Sequence, residues 1–206
     1  DYGDPATEYA QARQGVVLRD ASHLGLLRLS GADHLDFLHR MSTNDFNNAT
    51  VDQAVEAVLP DSRGRILELG VFYRLDSTST LAVLGPNGQS EVPTWLDRYL
   101  FSESVEFTPL NGQFALLEIA GPQAADAVAA ITAIAPEQSP DLSLVKRDGD
   151  LEIWRHDQWG HCGLRAFGPA AAVAALWTEL HAAGAIPLGE SASESLRLEH
   201  GQPAKG

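Results

Sequence analysis

Three clusters of polar residues contain side chains suited to catalysis, metal binding or ligand binding. The spacing of the residues decides how each cluster is interpreted. Asp20, Ser22 and His23 have the types of a hydrolase, but they fall within four consecutive positions after a predicted strand. Residues so close in sequence do not form a nucleophile–base relay by spacing alone, so a polar turn is the favoured interpretation. His156, His161 and Cys162 include metal-ligand types, but their spacing matches no common zinc pattern. We therefore expect no metal site.

Glu68 is a single carboxylate inside an apolar strand predicted over residues 65–75. Alternation along a strand places Ile66, Glu68, Gly70 and Phe72 on one face, which is otherwise apolar. One interpretation is a carboxylate that faces a ligand in a pocket, with Gly70 leaving space beside it. The other is the solvent side of an edge strand. The apolar neighbours favour the first interpretation.

A polar loop at residues 42–50 follows a predicted helix that ends near Met41. The side chains of Asn44 and Asp45 could grip the polar edge of a ligand, or they could satisfy backbone groups of their own loop. Residue types alone favour the structural role and leave the binding role open.

The elements that must position these residues alternate between helices and hairpins. Helices are predicted at residues 4–14, around Leu35 and Leu38, around Trp95, and at 123–131, 168–184 and 190–200. Hairpins over 54–84 and 142–167 indicate mostly antiparallel sheet, which is typical of the α+β class. We predict two small units, each a sheet covered by helices, over residues 1–110 and 111–206.

Composition excludes several classes of function. The chain has 206 residues and 28 acidic against 14 basic ones, a formal net charge of −14. This balance argues against nonspecific binding to nucleic acid or to an anionic membrane, and it does not exclude a local basic pocket for an anion. The single cysteine excludes an internal disulfide, and no apolar stretch is long enough to span a bilayer. The glycine patterns of phosphate-binding loops are not present.

The sequence resembles the folate-binding proteins related to glycine cleavage T-protein, and within them the YgfZ-type branch. Five segments, in family order, carry the resemblance: VLRDASHLG at 17–25; LSGAD at 29–33 with Phe37–Leu38 and MSTND at 41–45; DSRGRI at 61–66; IAGPQ at 119–123; and SLRLEHG at 195–201. No single motif is strongly specific, but their order extends over almost the whole chain.

The resemblance implies a ring of three domains around tetrahydrofolate, the first two being α+β units and the third a β-barrel. It implies that Glu68 is the acidic residue facing the folate, that Arg197 meets an anionic or polar part of it, and that Met41 and Asn44 border the cavity. On this basis we expect the barrel to be missing from this chain, which begins at Asp1 and has its only methionine at position 41.

The sequence also departs from the family pattern. Leu67 replaces the first of two paired acids, and Glu68 stands where aspartate is usual. In the family segment T-G-E-x-G-Y-E, His161 and Arg165 replace the two acids. A carboxylate that pairs with the N–H donors of a pterin is therefore lost.

Three functions follow from the resemblance. The first is a cytoplasmic, tetrahydrofolate-binding YgfZ-like protein that assists iron–sulfur cluster assembly or repair in client proteins. The second is an aminomethyltransferase, in which a nitrogen of tetrahydrofolate attacks an aminomethyl group on a lipoyl carrier and Glu68 assists proton transfer. The third is a relative by fold alone that binds another small ligand.

Overall fold

The chain forms two compact units in a computed structural model that describes residues 2–203. One unit combines residues 2–21 with residues 113–203, and we call it the split unit. The other, the inserted unit, consists of residues 22–112. The predicted division at residue 110 assigned residues 2–21 to the first unit, whereas they belong with the second half of the chain. The physical reason is strand pairing, because Val17 pairs with Ala120 and Leu18 with Ile119.

Helices and strands alternate along the chain. The α-helices of residues 2–203 are α1 (Pro5–Gln14), α2 (His34–Met41), α3 (Gly88–Leu96), α4 (Ala124–Thr132), α5 (Ala170–Ala182) and α6 (Glu190–Glu199). The strands of the same residues are β1 (Val17–Asp20), β2 (Leu24–Ser30), β3 (Ala54–Pro60), β4 (Ile66–Arg74), β5 (Ser79–Pro86), β6 (Glu106–Pro109), β7 (Phe114–Ala120), β8 (Leu144–Asp148), β9 (Leu151–Arg155), β10 (Leu164–Pro169) and β11 (Ile186–Pro187). Short 3₁₀ turns lie at Asp97–Tyr99 and Pro136–Gln138.

The split unit is built on a six-stranded sheet in the order β11-β1-β7-β10-β9-β8. The pair β1–β11 is parallel, and the others are antiparallel. One face buries an apolar cluster beneath α4 and α5, with Leu117, Ile119 and Leu176 among its members. The opposite face packs a smaller cluster with α1 and α6, including Ala12 and Leu196. Both faces of this sheet are therefore covered by helices.

The inserted unit is built on a five-stranded antiparallel sheet in the order β3-β4-β5-β2-β6. Its core combines residues of the sheet, such as Leu59 and Phe72, with Phe37 of α2 and Leu96 of α3. The two mainly antiparallel sheets and their helices confirm the predicted α+β class. Within residues 2–203, no helix is long and apolar enough to cross a membrane.

Local signals account for several element boundaries. At the start of α1, the Asp4 carboxylate accepts hydrogen bonds from the backbone N–H groups of Ala6 and Thr7, and Pro5 supplies a pre-set φ. Helix α6 is held at its start by α1, because the nearly buried Glu8 accepts a hydrogen bond from the N–H of Gly189 at 2.7 Å. The short strands β6 and β11 carry too few residues to give a periodic signal, and the sequence did not predict them.

Candidate functional site

Glu68 lies in the second strand of the inserted unit's sheet and is completely buried, with 0% of its surface exposed. Its Oε1 atom accepts two hydrogen bonds, one from its neighbour Leu69 N and one from Gly85 N on β5, both at 3.1 Å. A buried carboxylate is stable only when such donors satisfy it. Glu68 is therefore not on the solvent side of an edge strand.

The other carboxylate oxygen of Glu68 lies against the first turn of α3. A Cβ added at Gly88, the first residue of that helix, would lie 2.9 Å from Glu68 Oε2 and 2.5 Å from Leu84 Cβ. Only glycine fits at this approach. The N-terminus of a helix carries partial positive charge, which favours a carboxylate placed there. The corner formed by β4, β5 and α3 thus fixes this carboxylate in one position.

The space predicted beside Gly70 is filled. A Cβ at Gly70 would meet Leu84 Cδ2 at 2.8 Å and Phe72 Cε2 at 3.2 Å. The expectation that Gly70 leaves room for a ligand next to Glu68 is therefore wrong. The glycine instead admits the side chain of Leu84 into the core of the inserted unit.

Met41 and Asn44 lie at and after the end of α2, also in the inserted unit. Met41 packs against the unit's apolar core. Asn44 Nδ2 donates to the carbonyl oxygen of Glu56 at 2.8 Å, and its Oδ1 accepts from Asp45 N at 2.8 Å. Thr43 N likewise donates to Val58 O. The loop thus satisfies backbone groups of β3, the edge strand that an open sheet would otherwise leave unpaired.

Arg197 lies on α6, in the split unit. Its Nη2 and Nε atoms donate to the two carboxylate oxygens of Glu194 at 2.6 and 2.7 Å, and its Nη1 donates to the carbonyl oxygen of Gln202. The hydrogen bond to Glu194 raises the pKa of the Arg197 guanidinium. A quarter of its side chain, 25%, is exposed. Of the four predicted contacts, three lie in one unit and Arg197 lies in the other.

Sequence reasoning missed a second buried carboxylate, Glu118 of β7. It lies in cross-strand register with Arg19 of β1 and Arg165 of β10. Arg19 Nη1 donates to Glu118 Oε2 at 2.8 Å, and Arg165 Nη2 and Nε donate to Oε1 at 2.7 and 3.0 Å. Burial acts to raise the pKa of Glu118, but Arg165 and Arg19 together lower it to about 2. We call these three residues the charged row.

His156 lies at the end of β9, on the same sheet face as the charged row. It follows Trp154 by two positions, and Trp154 pairs with Arg165. The imidazole is 7% exposed, and burial together with the charge of Arg165 lowers its pKa to about 3. Within residues 2–203, its Nδ1 atom is buried and has no hydrogen-bond partner.

The signal that identified Glu68, a carboxylate within an apolar strand, was equally present at Glu118. Strand β7, Phe114–Ala120, contains Glu118 as its single charged residue. The arginine partners could not be found in this way, because they come from distant parts of the chain. Among the described residues, no group of three or more histidine, cysteine or acidic side chains could hold a metal ion.

The sequence matches the model of a family described as the GCVT N-terminal domain, over residues 4–206. A relative named aminomethyltransferase from Alcanivorax borkumensis is 26% identical over 98% of this chain and 56% of its own length. Another aminomethyltransferase, from Prochlorococcus marinus, is 30% identical over 93% of this chain and 55% of its own length. The chain thus spans about half the length of these relatives.

Solved structures share the fold. The crystal structure of glycine cleavage system aminomethyltransferase T from Bartonella henselae matches 97% of this chain and 55% of its own chain, with a TM-score of 0.88 and 23% identity. Heterotetrameric sarcosine oxidase from Corynebacterium sp. U-96 matches 98% of this chain with a TM-score of 0.60 and 15% identity. At such identities the likeness concerns the fold alone.

Proposed function

Because this chain belongs to the GCVT N-terminal domain family, we propose that it forms the folate-binding part of an aminomethyltransferase. The relatives that carry this name support the proposal. They also reverse the order of the hypotheses drawn from the sequence, in which the iron–sulfur role of a YgfZ-like protein came first. The transferase now leads, and its cytoplasmic location stays a prediction.

In the proposed reaction, a nitrogen of tetrahydrofolate attacks the methylene carbon of the aminomethyl group on a lipoyl carrier. The carbon passes to tetrahydrofolate, ammonia leaves from it, and the carrier sulfur is released as a thiol. Tetrahydrofolate presents N–H donors on its pterin and carboxylates on its tail, so it needs acceptors at one end and cations at the other. Glu68 is our candidate for the first task, with Met41 and Asn44 of the same unit bordering the ligand. For the second task, Arg197 stays the residue that the family resemblance implies.

The observation that carries this proposal is the fixed carboxylate of Glu68. Two backbone N–H groups hold Oε1, and the first turn of α3 lies against Oε2. A carboxylate held in this way has already lost its rotational freedom, which favours positioning a ligand or a transferred proton. Glu68 is completely buried, and it, Asn44 and Arg197 all have internal partners, so a ligand must displace protein groups at each of them. We expect Asn44 to contribute less than Glu68, because a neutral amide forms weaker hydrogen bonds than a carboxylate.

A titration with tetrahydrofolate tests the binding step. We expect saturable heat by calorimetry and a change in tryptophan fluorescence, with affinity reduced at least about tenfold by Glu68→Ala, as expected for losing a hydrogen bond to a charged group. Glu56→Ala is the matched control, because Glu56 lies exposed on the neighbouring strand β3. The absence of saturable binding would contradict both folate hypotheses. Equal binding by the wild-type and Glu68→Ala proteins would remove Glu68 from the site.

The transfer step needs a separate measurement on the full-length protein with an aminomethylated lipoyl carrier. We expect ammonia release that depends on tetrahydrofolate. Binding without ammonia release would favour the second candidate, a protein that holds folate without turning it over, as in the iron–sulfur hypothesis. The observation that favours this candidate is the replacement of two family acids by His161 and Arg165.

A further inference from the structure

The charged row brings two cations to one carboxylate in a chain whose net charge is −14. Both oxygens of Glu118 are occupied, Oε2 by Arg19 and Oε1 by Arg165. The side chains of the two arginines are only 16% and 11% exposed. Buried guanidinium groups are costly unless their charge is balanced. The single carboxylate of Glu118 balances only one of the two positive charges, so other groups must balance the rest.

The remaining balance at Arg19 comes from outside the sheet. Arg19 Nη2 donates to Glu190 Oε2 at 3.1 Å, and the side chain of Glu190, the first residue of α6, is 70% exposed. An ion pair with so exposed a partner contributes little to stability, because solvent screens it. Glu190 can therefore leave Arg19 for solvent at little cost, whereas Glu118 cannot.

We infer that Arg19 is a binding site for one carboxylate or phosphate group of a small ligand, which takes the position of Glu190. Guanidinium groups bind such oxyanions through strong, charge-assisted hydrogen bonds. The neighbouring acid Glu194 is paired with Arg197 and also acts electrostatically on Arg19. The positive and negative charges around the charged row are thus nearly balanced. The ligand therefore replaces Glu190 at Arg19 and does not bind in addition to it.

A second observation on the same face of the sheet points to a polar ligand. His156 Nδ1 is buried and has no partner within residues 2–203. Buried polar atoms nearly always contact a protein group, an ordered water or a ligand. His156 follows β9, three strands from β1 in the sheet order and therefore about 14 Å from Arg19 across the sheet. Its unpartnered nitrogen would thus meet a polar group of the ligand other than the acid group held by Arg19.

The test titrates the protein with glutarate and, separately, with inorganic phosphate. NMR signals of the arginine side-chain N–H groups report binding directly at Arg19. We expect saturable shifts in the wild-type protein and affinity tightened up to about fivefold by Glu190→Gln, the gain that corresponds to losing a weak internal competitor. Glu179→Gln is the matched control, because it makes the same charge change at an exposed position of α5.

Both Arg19 variants lack the Arg19 signal, so binding to them is followed by calorimetry. Arg19→Gln should abolish saturable binding of the probe, and Arg19→Lys should weaken it because lysine keeps the charge but loses the second directed donor. Thermal unfolding shows that each variant is folded, and Arg19→Lys keeps the test valid if Arg19→Gln does not fold. The probe that saturates identifies the anion as a carboxylate or a phosphate. No saturation with either probe, or equal effects of Glu190→Gln and Glu179→Gln, would overturn the inference. Neither probe is a folate, so this result is independent of the proposed function.

Discussion

Glu68 of the inserted unit and Glu118 of the split unit are buried carboxylates with opposite kinds of partner. Each lies within a strand that has other strands on both sides, and both are at least nine-tenths buried. Glu68 is held by uncharged backbone N–H groups and a helix N-terminus. Glu118 is held by two guanidinium groups from neighbouring strands.

The difference shows two ways of stabilising a negative charge in a sheet. Backbone donors come with the fold and remain in place whatever the side chains are. Guanidinium groups also need a counter-charge of their own. Removing the acid between them therefore leaves two buried positive charges unbalanced. Burial of a carboxylate alone therefore does not say how much the fold depends on it, and the two acids should respond differently to the same substitution.

The largest effect is expected for Glu118→Ala. This variant leaves Arg19 and Arg165 without their shared counter-charge, and breaking a buried ion pair in this way costs about 3–5 kcal/mol. Urea unfolding should show this loss in the free energy of unfolding. Replacing Arg19, Glu118 and Arg165 together by apolar residues should recover much of it. A loss smaller than that of Glu68→Ala would contradict the comparison.

Glu68→Ala should lower the free energy of unfolding by about 2–3 kcal/mol, because two backbone donors lose a buried acceptor and a cavity is left. Glu68→Gln should recover at least half of the loss, since an amide oxygen can accept the same hydrogen bonds from Leu69 N and Gly85 N. Urea unfolding of the three proteins measures the difference. If Glu68→Gln is as unstable as Glu68→Ala, the charge itself matters and the contrast with Glu118 disappears.

Acid should weaken the split unit through His156. Its pKa is lowered to about 3 from 6.5, so the unfolded chain takes up a proton at a pH where the folded chain does not. The stability that this group contributes is present above pH 6.5 and is lost as the pH falls towards 3. Between pH 7 and pH 5, we expect a loss of about 2 kcal/mol in the free energy of unfolding, because the limiting slope is about 1.4 kcal/mol per pH unit.

His156→Asn is the control for this pH dependence. Burial also lowers the pKa of His34 in the inserted unit, which acts in the same direction. The difference between the wild-type and His156→Asn unfolding curves therefore isolates His156. Glu118 adds a further loss only at lower pH, between 4.5 and about 2, because its folded pKa is depressed. Identical pH profiles for the wild-type and His156→Asn proteins would contradict this prediction.

The smallest effect is expected for Asn44→Ala in the exposed loop beside β3. Two hydrogen bonds are lost in contact with water, so the free energy of unfolding should fall by only about 0.5–1.5 kcal/mol. The affinity for tetrahydrofolate should stay within about threefold, which corresponds to roughly 0.7 kcal/mol. A large loss of affinity without a loss of stability would instead make Asn44 a principal ligand contact.

Sequence reasoning identified features that depend on local pattern. The start of α1 follows from Asp4 and Pro5, and the burial of Glu68 follows from its apolar neighbours in the strand. The charged row could not be predicted, because it depends on the register of β1, β7 and β10, which are far apart in the chain. Asn44 was ambiguous because an exposed amide suits a ligand and a strand edge equally well.

The path of the chain through the split unit has a consequence for how the protein folds. The chain leaves this unit after residue 21 and returns only at residue 113. During synthesis, all residues of the inserted unit are therefore made before β1 can pair with β7. Once the inserted unit has folded, residues 21 and 113 are no longer connected by a long flexible loop. The conformational entropy lost when β1 pairs with β7 is then smaller. Slowing the folding of the inserted unit would then also delay the split unit.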